Sequence, residues 1–175
     1  MYLEYVSGDL QVSIRQTVVL PVSGDGKVED DYYRPLLRRY PIMAASMETF
    51  CRQGMLRPGK LWLYRHSEFR NILVLPTCDA TGQGLDVWAV STALRKVFDS
   101  YAERGITSLA IPRLSDDREV QAGFEVILES MDIPVDVYCE LAPLSQKIFS
   151  FIHELCEPLS EEQEREIREK ICFEQ

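Results

Sequence analysis

An α/β layer architecture is the fold class this sequence predicts. Two observations predict it: short apolar runs bounded by turn residues, and stretches of helical apolar spacing lying between those runs. The runs are Thr17 to Val22, Asn71 to Leu75, Ser108 to Ile111 and Val135 to Tyr138, each the length of a buried strand. Between the second and third, Val87, Val90, Leu94, Val97, Phe98 and Tyr101 fall at steps of three and four, so one helix face carries them, and Gly105 follows as a stop. Val120, Phe124, Ile127, Leu128 and Met131 repeat the pattern before the last run. Trp62 and Trp88 read as core or pocket-wall residues, since bulky aromatics pack.

The end of the chain has a different character. Leu144, Ile148, Phe151, Ile152 and Leu155 form one amphipathic helical face, and Pro158 breaks it. Ser160-Glu-Glu-Gln163 then has the form of a capping box, opening a charged helix over roughly 161 to 171. The expected organisation is one domain over 1–142 with a helical extension, 143–175, packed on it. An apolar face of this kind packs on its own sheet, or else forms a homodimer or takes a protein partner.

The chain has 175 residues, enough for one domain with a sizeable core. Net charge is −9, from 28 acidic against 19 basic residues, which argues against a broad nucleic-acid surface. Arg38-Arg39 is too short to form a basic tract. No stretch approaches the roughly 20 apolar residues of a membrane helix. The opening Met1-Tyr-Leu-Glu-Tyr5 is neither basic nor continuously apolar, so no signal peptide is read there and a cytoplasmic location is expected. The five cysteines form no CxxC pair, and neither His66 nor His153 lies near one of them. Reduced structural thiols are expected, with no metal and no cofactor.

A set of short motifs, in order, carries a resemblance. Ser7-Gly-Asp-Leu10 is followed by Leu20-Pro-Val-Ser23, Glu29-Asp-Asp31, Leu37-Arg-Arg-Tyr-Pro41 and Gly54-Met-Leu-Arg-Pro-Gly-Lys-Leu61. Leu75-Pro-Thr77 and Glu103-Arg-Gly-Ile-Thr-Ser-Leu-Ala-Ile-Pro112 come later. Over about residues 1 to 140 the chain resembles the macro domains, in the branch of the terminal ADP-ribose glycohydrolases and DNA-ADP-ribosyl-hydrolase antitoxins. The resemblance implies a three-layer macro-like fold: a mixed twisted sheet flanked by helices, with a cleft for ADP-ribose at one end of the sheet and, here, extra C-terminal helices.

The resemblance also implies roles for single residues. Asp9 would accept from an adenine amino group and the Leu10 amide would serve the ring, with Pro21, Ser23 and Thr77 along the rest of the ligand. The diphosphate end departs from the family pattern. Glu29, Asp30 and Asp31 stand where that pattern has Gly, Lys and Gly, so carboxylates and bulk replace bare amides at a helix entrance. Each adds repulsion toward a diphosphate, of order 4 kcal/mol at about 4 Å in an effective dielectric of about 20. Pro35 places the start of the following helix near Arg34. The asparagines of the family's N-P-V-N become Leu20 and Ser23, and its lysine after P-T becomes Cys78. The second glycine-rich loop is shortened to Arg113-Leu-Ser-Asp-Asp-Arg-Glu119, without a glycine. Asp117 and Glu119 are the candidates for a catalytic acid. Cys78 is the candidate nucleophile, set against a structural thiol; it would need a base beside it, and His66 is the histidine of that region.

Three functions follow. One is a divergent macro-like module without hydrolase activity that binds a nucleoside or ADP-ribose-like ligand or serves as an interaction module. Another is an active hydrolase removing ADP-ribose from protein or nucleic acid. The third is an interaction subunit acting through its C-terminal helices.

Overall fold

The computed structural model describes residues 3–28, 30–79 and 84–142. Among the described residues six strands form one sheet: β1 (Leu3–Gly8), β2 (Thr17–Val22), β3 (Trp62–Ser67), β4 (Arg70–Pro76), β5 (Leu109–Pro112) and β6 (Val135–Leu141). Their order across the sheet is β1-β6-β5-β2-β4-β3, and every neighbouring pair is parallel except the β3–β4 hairpin. The described residues also form four α-helices: α1 (Arg34–Arg39), α2 (Pro41–Arg52), α3 (Val87–Ser100) and α4 (Arg118–Glu129). The mixed sheet between helical layers is the α/β architecture read from the sequence.

Strand pleating divides the core in two. Val19, Leu73, Leu75, Ile111, Val135 and Val137 face the layer of α3 and α4, where Val90, Leu94, Phe124 and Leu128 meet them. Val18, Leu20, Val22, Ile72, Val74 and Ala110 face the layer of α1 and α2, with Leu36, Met43 and Met47. Successive side chains of β2 and β4 alternate between these clusters, as a period of two requires. Both faces are covered, so these strands appear in the sequence as continuous apolar runs.

β1 and β3 are absent from the sequence reading. They are the two edges of the sheet, and their burial alternates or stays partial, so neither presents an apolar run. Two further expectations are corrected. Trp62 packs edge-on against Phe50 at 5.0 Å, but Trp88 is 80% exposed and belongs to neither core nor pocket wall. Val87 and Phe98, expected on the buried face of α3, are exposed in part; Ala89 and Ala93 take their place beside Val90, Leu94 and Val97. The expected helical extension over 143–175 lies outside the described residues. Among the described residues no helix is long and apolar enough to cross a membrane, and no His, Cys, Asp and Glu group could hold a metal ion.

Away from the strand ends, two arginines tie loops to strands. Arg15 forms a two-point bond with Asp136 on β6, at 2.8 and 3.0 Å. Arg70, 1% exposed, donates from Nη1 to the Arg15 carbonyl at 3.1 Å and from Nη2 to the Ser13 carbonyl.

Candidate functional site

Because β1, β6, β5, β2 and β4 are parallel, their carboxyl ends share one edge, the place where open α/β sheets bind ligands. The residues that follow those ends are Asp9, Ser23, Thr77, Arg113 and Ala142. Backbone bonds hold them in line. The Thr77 amide donates to Val22 at 2.9 Å, that of Arg113 to Tyr138 at 3.0 Å, and that of Ala142 to Gly8 at 2.8 Å. A cleft of about 210 Å³ opens at this edge, and Pro21, Val22, Asp30, Tyr33, Thr77 and Arg113 are among its walls. It is smaller than the roughly 300–1,000 Å³ usual for a small-molecule site. Asp30 and Arg113 give its wall one carboxylate and one guanidinium, the latter paired with Asp116 at 3.2 Å.

Asp9 is buried beyond the end of β1 and caps a single 3-10 turn, Leu10–Val12, accepting from the Gln11 amide at 3.1 Å. The same carboxylate oxygen accepts from the Tyr32 hydroxyl. The Leu10 and Gln11 backbone lies beside that oxygen and acts against a raised pKa. Burial and the Asp9 carboxylate hold the phenol above its ordinary range. Gln11, 2% exposed, donates through Nε2 to the Tyr32 carbonyl, which fixes the tyrosine from a second side. Leu10 itself is fully buried.

At the end of β2 the chain turns on itself. The Ser23 amide donates to the Lys27 carbonyl at 2.9 Å, and the Asp25 carboxylate accepts from the Ser23 hydroxyl and, at 3.0 Å, from the Lys27 amide. Those bonds hold the Asp25 carboxyl below the usual carboxylate range. Gly26, at φ +84°, lets the turn lie close against α2: a Cβ there would meet the Glu48 Cα at 3.2 Å. Asp30 then caps another 3-10 turn, Asp31–Tyr33, accepting from the Tyr32 amide at 2.9 Å. α1 begins at Arg34 with Pro35 in its first turn, where the sequence reading puts it. Asp31 pairs with Arg34 at 2.9 Å in the open; Glu29 lies outside the described residues.

The loop after β5 is closed in a similar way. Gln121, 8% exposed, points its Oε1 back to accept from the Leu114 amide at 3.0 Å and the Ser115 amide at 3.2 Å. Asp117 is the N-cap of α4, accepting from the Glu119 amide at 2.9 Å and the Val120 amide at 3.2 Å. Glu119 is exposed in the first turn of that helix.

Thr77 lines the cleft and its hydroxyl reaches the Val22 carbonyl at 3.3 Å. Cys78, one residue on, is 3% exposed. His66 belongs to the other end of the sheet. Its neighbour Arg65 pairs with Asn71 at the start of β4, and the seven steps from Asn71 to Cys78, nearly all of them along β4, span about 23 Å. There His66 packs on Tyr40 at 4.8 Å, and burial, with Arg39 and Arg70 adding to it, keeps the imidazole below its ordinary range.

The structure thus gathers Pro21, Thr77 and Arg113 at one cleft, gives Asp9 to Tyr32, and uses Ser23 and Asp117 to fix their own turns. Tyr32 and Gln121 are the members that sequence reasoning missed. A sequence signal existed only for Gln121, a polar residue beside Val120 and three before Phe124 on a face otherwise apolar.

The chain has the macrodomain fold. No protein-family model matches the sequence, and no curated protein matches it either. Among solved structures it is similar to the macrodomain of Thermus aquaticus DarG, with 21% identity and a TM-score of 0.70 over 78% of this chain and 97% of that one. It is similar to the Mycobacterium tuberculosis DarG macrodomain at 23% identity and TM-score 0.69, covering 82% and 98%. Thermosipho africanus DarTG, solved in complex with ADP-ribose, matches at 22% identity and TM-score 0.71 over 86% of this chain and 46% of that one.

Proposed function

We propose that this chain is a divergent macrodomain-like protein of the DarG-like branch that binds a small nucleoside-like ligand and does not hydrolyse ADP-ribose conjugates. The observation that carries the reading is the state of the loop amides. A diphosphate is held by backbone N–H groups that converge on it at a helix entrance. Here Asp30 takes the Tyr32 amide, Gln121 takes those of Leu114 and Ser115, and Asp117 takes those of Glu119 and Val120. Phosphate would have to displace three side chains, two of them carboxylates that repel it. The small cleft and the carboxylate of Asp30 in its wall point the same way.

Loss of hydrolysis follows from the same geometry. Asp117 is committed as a helix cap, and Cys78 is buried with His66 at the far end of the sheet, so a nucleophile and a base do not meet. The second reading, an active hydrolase with Glu119 as its acid, draws on the DarTG neighbour that holds ADP-ribose and on Arg113, a cation in the cleft wall.

Calorimetric titration with ADP-ribose and, in parallel, adenosine separates the readings. The expected result is weak binding of adenosine, no tighter binding of ADP-ribose, and loss of both on Asp9→Ala. Micromolar binding of ADP-ribose, or its release from a modified protein or DNA with loss of that release in Glu119→Gln, would establish the second reading instead.

A further inference from the structure

We infer that Tyr32 is a built-in competitor for the nucleoside seat: its hydroxyl occupies Asp9, so that a ligand enters only when the Asp31–Tyr33 turn lets go. The inference rests on the proposed role of Asp9 and deepens it. A purine presents an N–H donor beside a ring acceptor, and such an edge would bond to a carboxylate and an adjacent backbone amide. The Tyr32 hydroxyl takes the first of these partners by donating to Asp9, and the Leu10 and Gln11 backbone lies beside its oxygen. Such a contact competes with any ligand edge for the same carboxylate lone pair and covers the amides beside it.

The turn that carries Tyr32 is built as a separable unit. It is one 3-10 turn, held at its start by the Asp30 carboxylate on the Tyr32 amide and bounded at its end by Pro35 in the first turn of α1. Tyr32 lies edge-on against Tyr33, with ring centroids 5.0 Å apart. Tyr33 and Asp30 are walls of the cleft. The turn therefore spans from the Asp9 seat to the cleft, and releasing Tyr32 would open the first and reshape the second together. Gln11 is the latch on the other side. Its Nε2 holds the Tyr32 carbonyl while its Oε1 is buried without a hydrogen-bond partner, so Nε2 must find another acceptor when the tyrosine leaves.

The test is calorimetric titration of the full chain with adenosine, comparing wild type, Tyr32→Phe, Tyr32→Ala, Asp9→Ala and the Tyr32→Phe/Asp9→Ala double variant. Tyr32→Phe keeps the ring and its packing on Tyr33, so it preserves the fold if Tyr32→Ala does not. Removing one hydrogen bond to a charged group from the competing side should tighten adenosine about tenfold. The double variant should lose that gain. In amide exchange, saturating adenosine should raise the exchange rate of the wild-type Tyr32 amide. Adenosine affinity that depends on Asp9 but is equal in wild type and Tyr32→Phe overturns the competitor while leaving the Asp9 reading intact. Affinity indifferent to Asp9 in every variant overturns both.

Discussion

At the scale of single residues, the polar groups beside the turns carry most of the information. Asp9, Ser23 and Asp117 were all legible as site candidates, and each has a short polar side chain beside a turn. Such side chains cap turns as readily as they bind ligands, because both tasks need an oxygen aimed at a backbone N–H. In Ser23 and Asp117 the turn takes the side chain; in Asp9 the turn and Tyr32 share it. Arg70 shows the other side of this. It is one of the largest fully buried side chains, and it satisfies the Ser13 and Arg15 carbonyls. Arg70→Met should destabilise the fold by about 3 kcal/mol, since it strands two acceptors and removes charge-assisted bonds. Urea denaturation reads this directly, and a loss under about 1 kcal/mol would mean those carbonyls find water instead.

At the scale of elements, how readable each piece is in the sequence follows its place in the sheet. β2 is interior and covered on both faces, so its apolar run marks Thr17–Val22 to the residue. β1 and β3 are edges, and a half-exposed edge strand such as Trp62–Ser67 has no run to read. α3 and α4 were visible from their spacing alone. α4, however, carries a buried polar side chain that the periodicity treats as noise. Gln121 organises the loop before its own helix, and Gln121→Ala should release the Leu114 and Ser115 amides. The expected cost is about 2 kcal/mol, with those two amides losing protection in hydrogen exchange while the middle of α4 keeps it. If the freed amides then bound inorganic phosphate, the closed state of this loop would be traced to one side chain.

At the scale of the whole molecule, one sheet separates two cores. Phe124 anchors the cluster under α3 and α4, and Met43 the cluster under α2, each buried to 1% exposure or less. Phe124→Ala should cost about 4 kcal/mol and Met43→Ala about 3 kcal/mol. They share no cluster, so the double variant should lose the sum to within about 0.5 kcal/mol, still in one transition. Two separate transitions would show that the helical layers unfold independently of one another.

The chain by itself determined its layer architecture, its interior strands, the amphipathic helices α3 and α4, and the loss of glycine at both helix entrances. These are local facts, written in spacing and residue type over a few positions. Tertiary structure alone decided what the site does with its residues. The Tyr32 hydroxyl meets Asp9 across 23 positions of sequence, and His66 is parted from Cys78 by the length of β4. Hydrogen bonds of that range depend on where the turns come to rest on the sheet, and no periodicity records it. An apolar pattern states which faces are buried, whereas a polar side chain chooses its partner only after the faces have closed.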